Sequence, residues 1–145
     1  MQTSKNKYTA RFVPAAELRS LIPLLQELDA TIPEEVLVER LTEMYAHNYR
    51  CAGVYFGTEL IAIAGVWVLY KYYIGKHIEL DDVVVKPSHR SAGVGDLMMN
   101  FVYDYARSID CVAAELNSYI KSERATAYWT KNGYVKLGYH MRKLL

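Results

Sequence analysis

The run Val83-Val84-Val85-Lys86-Pro87-Ser88-His89-Arg90-Ser91-Ala92-Gly93-Val94-Gly95 constrains the fold more than any other stretch of the chain. Three β-branched residues predict a strand, and Pro87 ends it. Beyond the glycines, Val94, Leu97, Met98, Phe101, Val102 and Tyr105 follow the helical repeat, so the run reads as strand, loop, amphipathic helix. Arg90-x-x-Gly93-x-Gly95 removes side chains where a backbone must approach a ligand, and it aims N–H groups and a helix N-terminus at one point. An anionic cofactor carrying a pyrophosphate is the expected ligand.

The rest of the chain supplies a sheet for that unit to join. A strand is expected over 8–13, then a helix whose Leu18, Leu21, Ile22, Leu25 and Leu28 share a face, with Pro23 arguing for a kink or a start near Ser20. Pro33 and Glu34-Glu35 open a second helix. Strands over 51–56 and 59–70 flank a Gly57-Thr58 turn and predict a hairpin, and a third strand covers 77–85. After the glycine-loop helix come a strand over 111–116 and a helix from Ser122-Glu123 to Lys131, stopped by Asn132-Gly133. One or two strands over 134–144 close the chain. The order β-α-α-β-β-β-α-β-α-β(β) predicts a single α/β domain over 1–145, with a mixed central sheet of six to seven strands flanked by about four helices.

A chain of 145 residues with net charge +1 makes one ordinary domain and projects no global field toward nucleic acid or a membrane. Its longest apolar stretch, 60–70, is too short to span a bilayer. Cys51 and Cys111 stand far apart and begin apolar runs, which fits a reduced, cytoplasmic protein. The four histidines, His47, His77, His89 and His140, show no metal-ligand spacing, and no metal is expected. His77 shares a strand with Glu79, two residues on.

Two phosphate-binding patterns fail on the loop itself. A Walker A loop needs Lys-Ser/Thr after its last glycine, where this chain has Asp96-Leu97. A dinucleotide fingerprint needs a third glycine where Met98 stands, although Glu115 lies at about the spacing of a ribose-binding acid, ~20 residues on. The pattern Val-Val-Val-x-Pro-x-x-Arg-x-x-Gly-x-Gly followed by Ala125-x-x-Tyr128-Trp129-x-Lys131-x-Gly133-Tyr134 resembles the GNAT family of acyl-CoA N-acyltransferases. The resemblance covers the chain closely from about Cys51 onward and the N-terminal helices by order alone. It implies acetyl-CoA as acyl-donor cosubstrate, with Val83, Val84 and Val85 lending main-chain groups to the pantetheine arm. Arg90, Ser91, Ala92, Gly93, Val94, Gly95 and Asp96 would wrap the pyrophosphate, and Ser122 falls where relatives place a short polar residue near the pantetheine. The resemblance also implies a bulge in the 77–85 strand that lets a main-chain N–H near Val83 or Val84 meet the thioester oxygen.

Acetyl transfer to an amine needs a base, because an alkyl ammonium has a pKa near ~10.4. Glu79, Asp81 and Asp82 are the carboxylates at hand. Strict alternation puts Glu79, Asp81, Val83 and Val85 on one face and Leu80, Asp82 and Val84 on the other, unless a bulge changes the phase. By resemblance, Glu79 matches a catalytic glutamate of histone-acetylating relatives. Asp81-Asp82 match an acidic pair that polyamine-acetylating relatives set around a cationic amine. Glu79 and Asp81 are therefore the base candidates, Asp82 a substrate-binding one, and surface ion pairing is the competing reading for each. Many relatives carry a tyrosine where this chain has Trp129. Tyr128 is the neighbouring hydroxyl and the candidate acid, but it points ~100° away on a helix, where it could equally pack. A thiol of pKa ~8.5 leaves passably without an acid. The expected activity is transfer of an acetyl group to a primary amine of a small-molecule or protein acceptor by direct attack in a ternary complex. A non-catalytic acyl-CoA-binding module on the same scaffold is the alternative, motivated by Trp129. Tyr70, Tyr72 and Tyr73 ahead of the acids suggest a cationic, partly apolar acceptor. Edge-strand pairing could make a homodimer, although nothing in the chain demands one.

Overall fold

The structure, a computed structural model, describes residues 2–3 and 7–145. One sheet holds β1 (Gln2–Thr3), β2 (Tyr8–Val13), β3 (Tyr49–Phe56), β4 (Glu59–Lys71), β5 (Gly75–Val85) and β6 (Ala114–Leu116), in that spatial order. The helices are α1 (Ile22–Leu28), α2 (Glu34–Tyr45), α3 (Val94–Ser108) and α4 (Glu123–Lys131). Neighbours from β1 to β5 run antiparallel, and β5 and β6, joined across α3, run parallel. Gly57, at φ +62°, turns the β3–β4 hairpin as the sequence predicts. The first helical segment divides instead of kinking: a 3-10 stretch over Ala15–Leu21 hands over to α1, which starts with Pro23 in its first turn, where a missing N–H costs nothing.

Each face of the sheet carries its own core. On one face a stripe of Ala10, Ala52, Ala62 and Ala64 lets α3 approach closely, and Met98, Met99 and Val102 press onto it together with Trp129 of α4. On the other face Leu21, Leu24 and Leu25, with Leu37 and Leu41 of α2, cover Val13, Cys51, Ile63 and Val84. Fully burying a side chain such as Leu41 or Met98 is worth about 1.5–3 kcal/mol, so both layers contribute heavily to stability. His77 is also fully buried, with Nδ1 2.9 Å from the Gly75 carbonyl oxygen and Nε2 3.5 Å from Glu115. Because that carbonyl only accepts, Nδ1 carries a proton, which ties the ring to its own strand β5, while Nε2 makes no hydrogen bond among the described residues.

Two features depart from the sequence expectation. The segment 134–144 forms no strand and is exposed from Val135 onward, so the predicted six to seven strands become five of those expected plus the two-residue β1. Among the described residues no strand pairs with the outer edge of the three-residue β6. β6 itself is shorter than the predicted 111–116: Cys111 bonds back to Ala106, its N–H donating to that carbonyl at 2.9 Å in the turn that leaves α3, while Val112 donates to the Lys76 carbonyl at 3.0 Å and the Ala113 carbonyl accepts from the Ile78 N–H at 3.1 Å.

Candidate functional site

The β5–β6 ladder runs over Ile78–Leu80 and Ala114–Leu116, so from Asp81 to Val85 the outer edge of β5 has no strand beside it among the described residues. A bulge lies at this parting. Asp81 faces Gly65 and Val84 faces Ile63, which leaves Asp82 and Val83 together opposite Ala64. The extra residue changes the phase: Ile78, Leu80, Val83 and Val85 belong to the α3 core, while Val84 packs with α1 and α2. The main chain shows the same shift. Lys86 donates to Ile61 at 2.8 Å, so by antiparallel alternation Val84 turns its N–H and C=O to β4, and Val83 and Val85 turn theirs into the gap. The Val85 carbonyl there accepts from Arg90 Nε at 3.2 Å, and the Asp82 N–H is taken by Asp81 Oδ1 at 3.1 Å. Val83 is thus the first residue past the parting with its N–H directed into the gap and not taken up by a neighbouring side chain.

The glycine loop closes one end of the gap. A 3-10 turn over Pro87–His89 leads to Ser91 at φ +66° and Gly93 at φ +77°, and Gly93 caps α3 with no side-chain bond to its first-turn N–H groups. Arg90, Ser91, Ala92, Gly93 and Asp96 are exposed, Gly95 is half-buried, and Val94 alone turns inward. Unoccupied first-turn N–H groups under an exposed, side-chain-poor loop suit an anion of diphosphate size. Tyr128 braces this cradle: its hydroxyl donates to Asp96 Oδ1 at 3.1 Å and would stand 3.4 Å from a Cβ added at Gly95. Burial, then that bond, pushes the phenol up to about 12. Trp129 lies in the α3 core, and Ser122 stands exposed at the start of α4 with no capping bond from its hydroxyl.

The three acids occupy different surroundings. Asp81 is exposed. Glu79 is half-buried, in register with Trp67 on one side and Glu115 on the other. Asp82 sits at φ +51°, and its charge is felt by Tyr49 and Cys51 of the α1/α2 core. Burial, and secondarily the Asp81 charge, raise its carboxyl from 3.8 to about 7. Tyr49 was not singled out by sequence, since nothing distinguishes one of 13 tyrosines. Its ring lies over Gly65, where an added Cβ would meet it at 2.8 Å, and its buried hydroxyl has no hydrogen-bond partner among the described residues. A separate opening bounded by Arg11, Phe12, Tyr45, Tyr49 and Arg50 lies toward the Trp67 end of the sheet, away from the glycine loop, and its arginines leave it without the acids' chemistry. Among the described residues no cluster of histidine, cysteine or acids could hold a metal, and no helix is long and apolar enough to cross a membrane.

The family model described as "Acetyltransferase (GNAT) family" matches residues 19–134, which include the acids, the loop and α4. The chain belongs to the GNAT acetyltransferase family. This GNAT domain is 25% identical, over 97% of its own length and 94% of the other's, to the "Uncharacterized N-acetyltransferase YhdJ" of Bacillus subtilis (strain 168). Its fold matches an acetyltransferase of Trypanosoma brucei with a TM-score of 0.76 at 23% identity, over 95% of this chain and 99% of that one. It also matches aminoglycoside N-acetyltransferase AAC(6')-Iy, solved in complex with CoA, with a TM-score of 0.85 at 13% identity, over 100% and 99% of the two chains. The family takes its acetyl group from acetyl-CoA, and the exposed loop, uncapped α3 and open β5 edge of this GNAT domain fit that cosubstrate's diphosphate and amide-bearing arm.

Proposed function

We propose that the protein transfers an acetyl group from acetyl-CoA to a cationic primary amine by direct attack, with Asp82 as the carboxylate that takes the amine's proton. The observation that carries this reading is the place of Asp82: at the bulge where β5 parts from β6, turned toward the α1/α2 layer, and titrating at about 7. A base works best with a pKa near the working pH, and an ammonium of ~10.4 gives up its proton more readily to such a group than to an ordinary carboxylate. Asp81 and Glu79 add negative charge along the same strand, which attracts the ammonium form of the acceptor.

Acetyl-CoA supplies an acyl group activated on a sulfur that leaves as thiolate. The first-turn N–H groups of α3, with Ser91 and Gly93 in left-handed conformations, hold the diphosphate. The main-chain groups of Val83 and Val85 hold the arm, and the Val83 N–H faces the carbonyl oxygen as negative charge develops there. Tyr128 keeps its proton and steadies Asp96 at the loop. With Trp129 in the core, the thiolate departs without a dedicated acid, as a leaving group of pKa ~8.5 allows.

The test is a panel of primary amines (polyamines, amino sugars, aminoglycosides, lysine peptides) with acetyl-CoA and release of free thiol as readout. Turnover of at least one cationic amine is expected, and Gly93→Glu should abolish both turnover and acetyl-CoA binding measured by calorimetry. No acetyl-CoA binding by the wild-type protein would overturn the proposal. Binding with no turnover across the panel would favour the non-catalytic module.

A further inference from the structure

His77, Glu115 and Tyr73 form a cluster, outside the proposed chemistry, where β5 and β6 are joined. His77 is fully buried on β5, and Glu115 of β6 lies in register with Glu79, two residues further along β5. Glu115 Oε1 meets both other side chains: the Tyr73 hydroxyl, from the turn between β4 and β5, donates to it at 2.7 Å, and His77 Nε2 stands 3.5 Å away. One more pair, Leu80 with Leu116, completes the ladder before the gap opens at Asp81. β6 has few main-chain bonds to the sheet: its three ladder residues, with the Val112 N–H on the Lys76 carbonyl and the Ile78 N–H on the Ala113 carbonyl beside them. A side-chain contact at this point therefore bears on where β6 lies.

The contact between His77 and Glu115 lacks a proton. Nδ1 already donates to the Gly75 carbonyl, so in a neutral ring Nε2 is a bare acceptor facing a carboxylate oxygen that is also an acceptor. Burial at 0% exposure keeps water from relieving that ring nitrogen, and an unsatisfied buried acceptor is costly. A second proton, on Nε2, turns the same approach into an ion pair. The surroundings favour the cation. Glu79 and Glu115 are neighbours on adjacent strands, and among the described residues neither pairs with a lysine or arginine. Opposite His77 and Glu79, β4 places the uncharged Leu69 and Trp67, and the turn contributes the phenols of Tyr72 and Tyr73. Lys76 alternates to the other face, where its charge and that of Asp110 act on Cys111. The one charged residue of α1, which packs on β5, is the exposed Glu27.

We propose that His77 is a positioning residue: as an imidazolium it pairs with Glu115, clasps β6 to β5 beside the parting, and fixes the width of the gap that receives the cofactor's arm. Loss of the Nε2 proton as pH rises sets two acceptors against each other, and β6 loosens. The link to the cofactor rests on the acetyl-CoA reading of the gap. The proton and the hold on β6 do not.

The test joins nitrogen NMR of the His77 ring, amide hydrogen exchange and acetyl-CoA calorimetry on the full chain. At about pH 6, inside the range where imidazole ordinarily changes charge, the wild-type ring should carry protons on both nitrogens. In Glu115→Gln it should carry one on Nδ1 alone, because the amide N–H then donates to Nε2. Protection of the Val112 and Ile78 amides should survive in Glu115→Gln and fall about tenfold in Glu115→Ala. Between about pH 6 and 9, acetyl-CoA affinity should fall about tenfold more in wild type than in Glu115→Gln, and titrations common to both, those of Asp82 and His89 included, cancel in the comparison. A neutral wild-type ring at about pH 6 would overturn the proposal, and so would a Glu115→Gln protein as loose as Glu115→Ala, or equal pH dependence of acetyl-CoA binding in the two. Should Glu115→Ala fail to fold, the ring states of wild type and Glu115→Gln decide. Absence of acetyl-CoA binding in every protein, with ring states and protection as expected, would refute the proposed function and uphold the clasp.

Discussion

At Asp82 a left-handed backbone angle and a half-buried carboxyl meet on one residue. A carboxyl whose folded pKa is raised binds its proton more tightly in the folded state, so its contribution to stability is full below about 3.8 and is lost as pH rises through about 7. The interval is a little over three tenfold steps of about 1.4 kcal/mol each, an upper bound of about 4.5 kcal/mol that solvent screening of a half-buried group reduces. Asp82→Asn, which cannot ionise, should therefore melt about 5–10 °C above wild type at pH 8 and close to it at pH 4.5 in calorimetry. Equal melting temperatures at pH 8 would mean that the carboxyl is not buried as described. That Asp82, rather than Asp81 or Glu79, has this environment was not legible from the sequence. Alternation names two faces for the three acids, and with the bulge opposite Ala64 the Asp82 charge acts on Tyr49, an electrostatic coupling across 33 positions that no local pattern marks.

The element that organises the site is β5, its loop and α3 as one piece. Nearly all of it was legible: the β-branched run, Pro87, the two glycines and the helical repeat each fall where the strand, turn and helix are found. The glycines differ in what they contribute. Gly93 has open space around it but φ +77°, so Gly93→Ala should cost about 1 kcal/mol through backbone strain and weaken acetyl-CoA by tilting the first-turn N–H groups, while Gly93→Asn, whose side chain tolerates that angle, should lose less of both. Calorimetric titration ranks the three proteins, and an Asn variant no better than Ala would contradict the conformational reading. Elsewhere the pattern misled for a physical reason. Residues 111–113 and 134–144 carry strand-like sequences, but Cys111 is held in the turn after α3, Val112 and Ala113 bond to the β5 edge outside the regular ladder, and 134–144 pair with no strand among the described residues.

For the whole molecule, the sheet separates two tasks. The α3 and α4 layer shapes the loop, and the Asp82 charge acts on Tyr49 and Cys51 of the α1 and α2 layer. The order of elements and the parallel β5–β6 crossover could be read from hydrophobic periodicity, because both faces of a central sheet must be covered and the chain offers one helix pair before and one after the hairpin. The division of labour could not, since it depends on where two parallel strands part. The central claim joins the layers: a group on one side, titrating at about 7, takes a proton from an amine attacking a donor held by the other. The most direct test is kcat/KM against pH, from about 5.5 to 9, for wild type and Asp82→Asn with the best amine of the panel and saturating acetyl-CoA. The wild-type profile should rise with pH through an inflection near 7. The variant should lose that inflection and fall at least about 100-fold at pH 8, the lower range of what a positioned base contributes. An Asp82→Asn protein that keeps both the rate and the inflection would contradict the account.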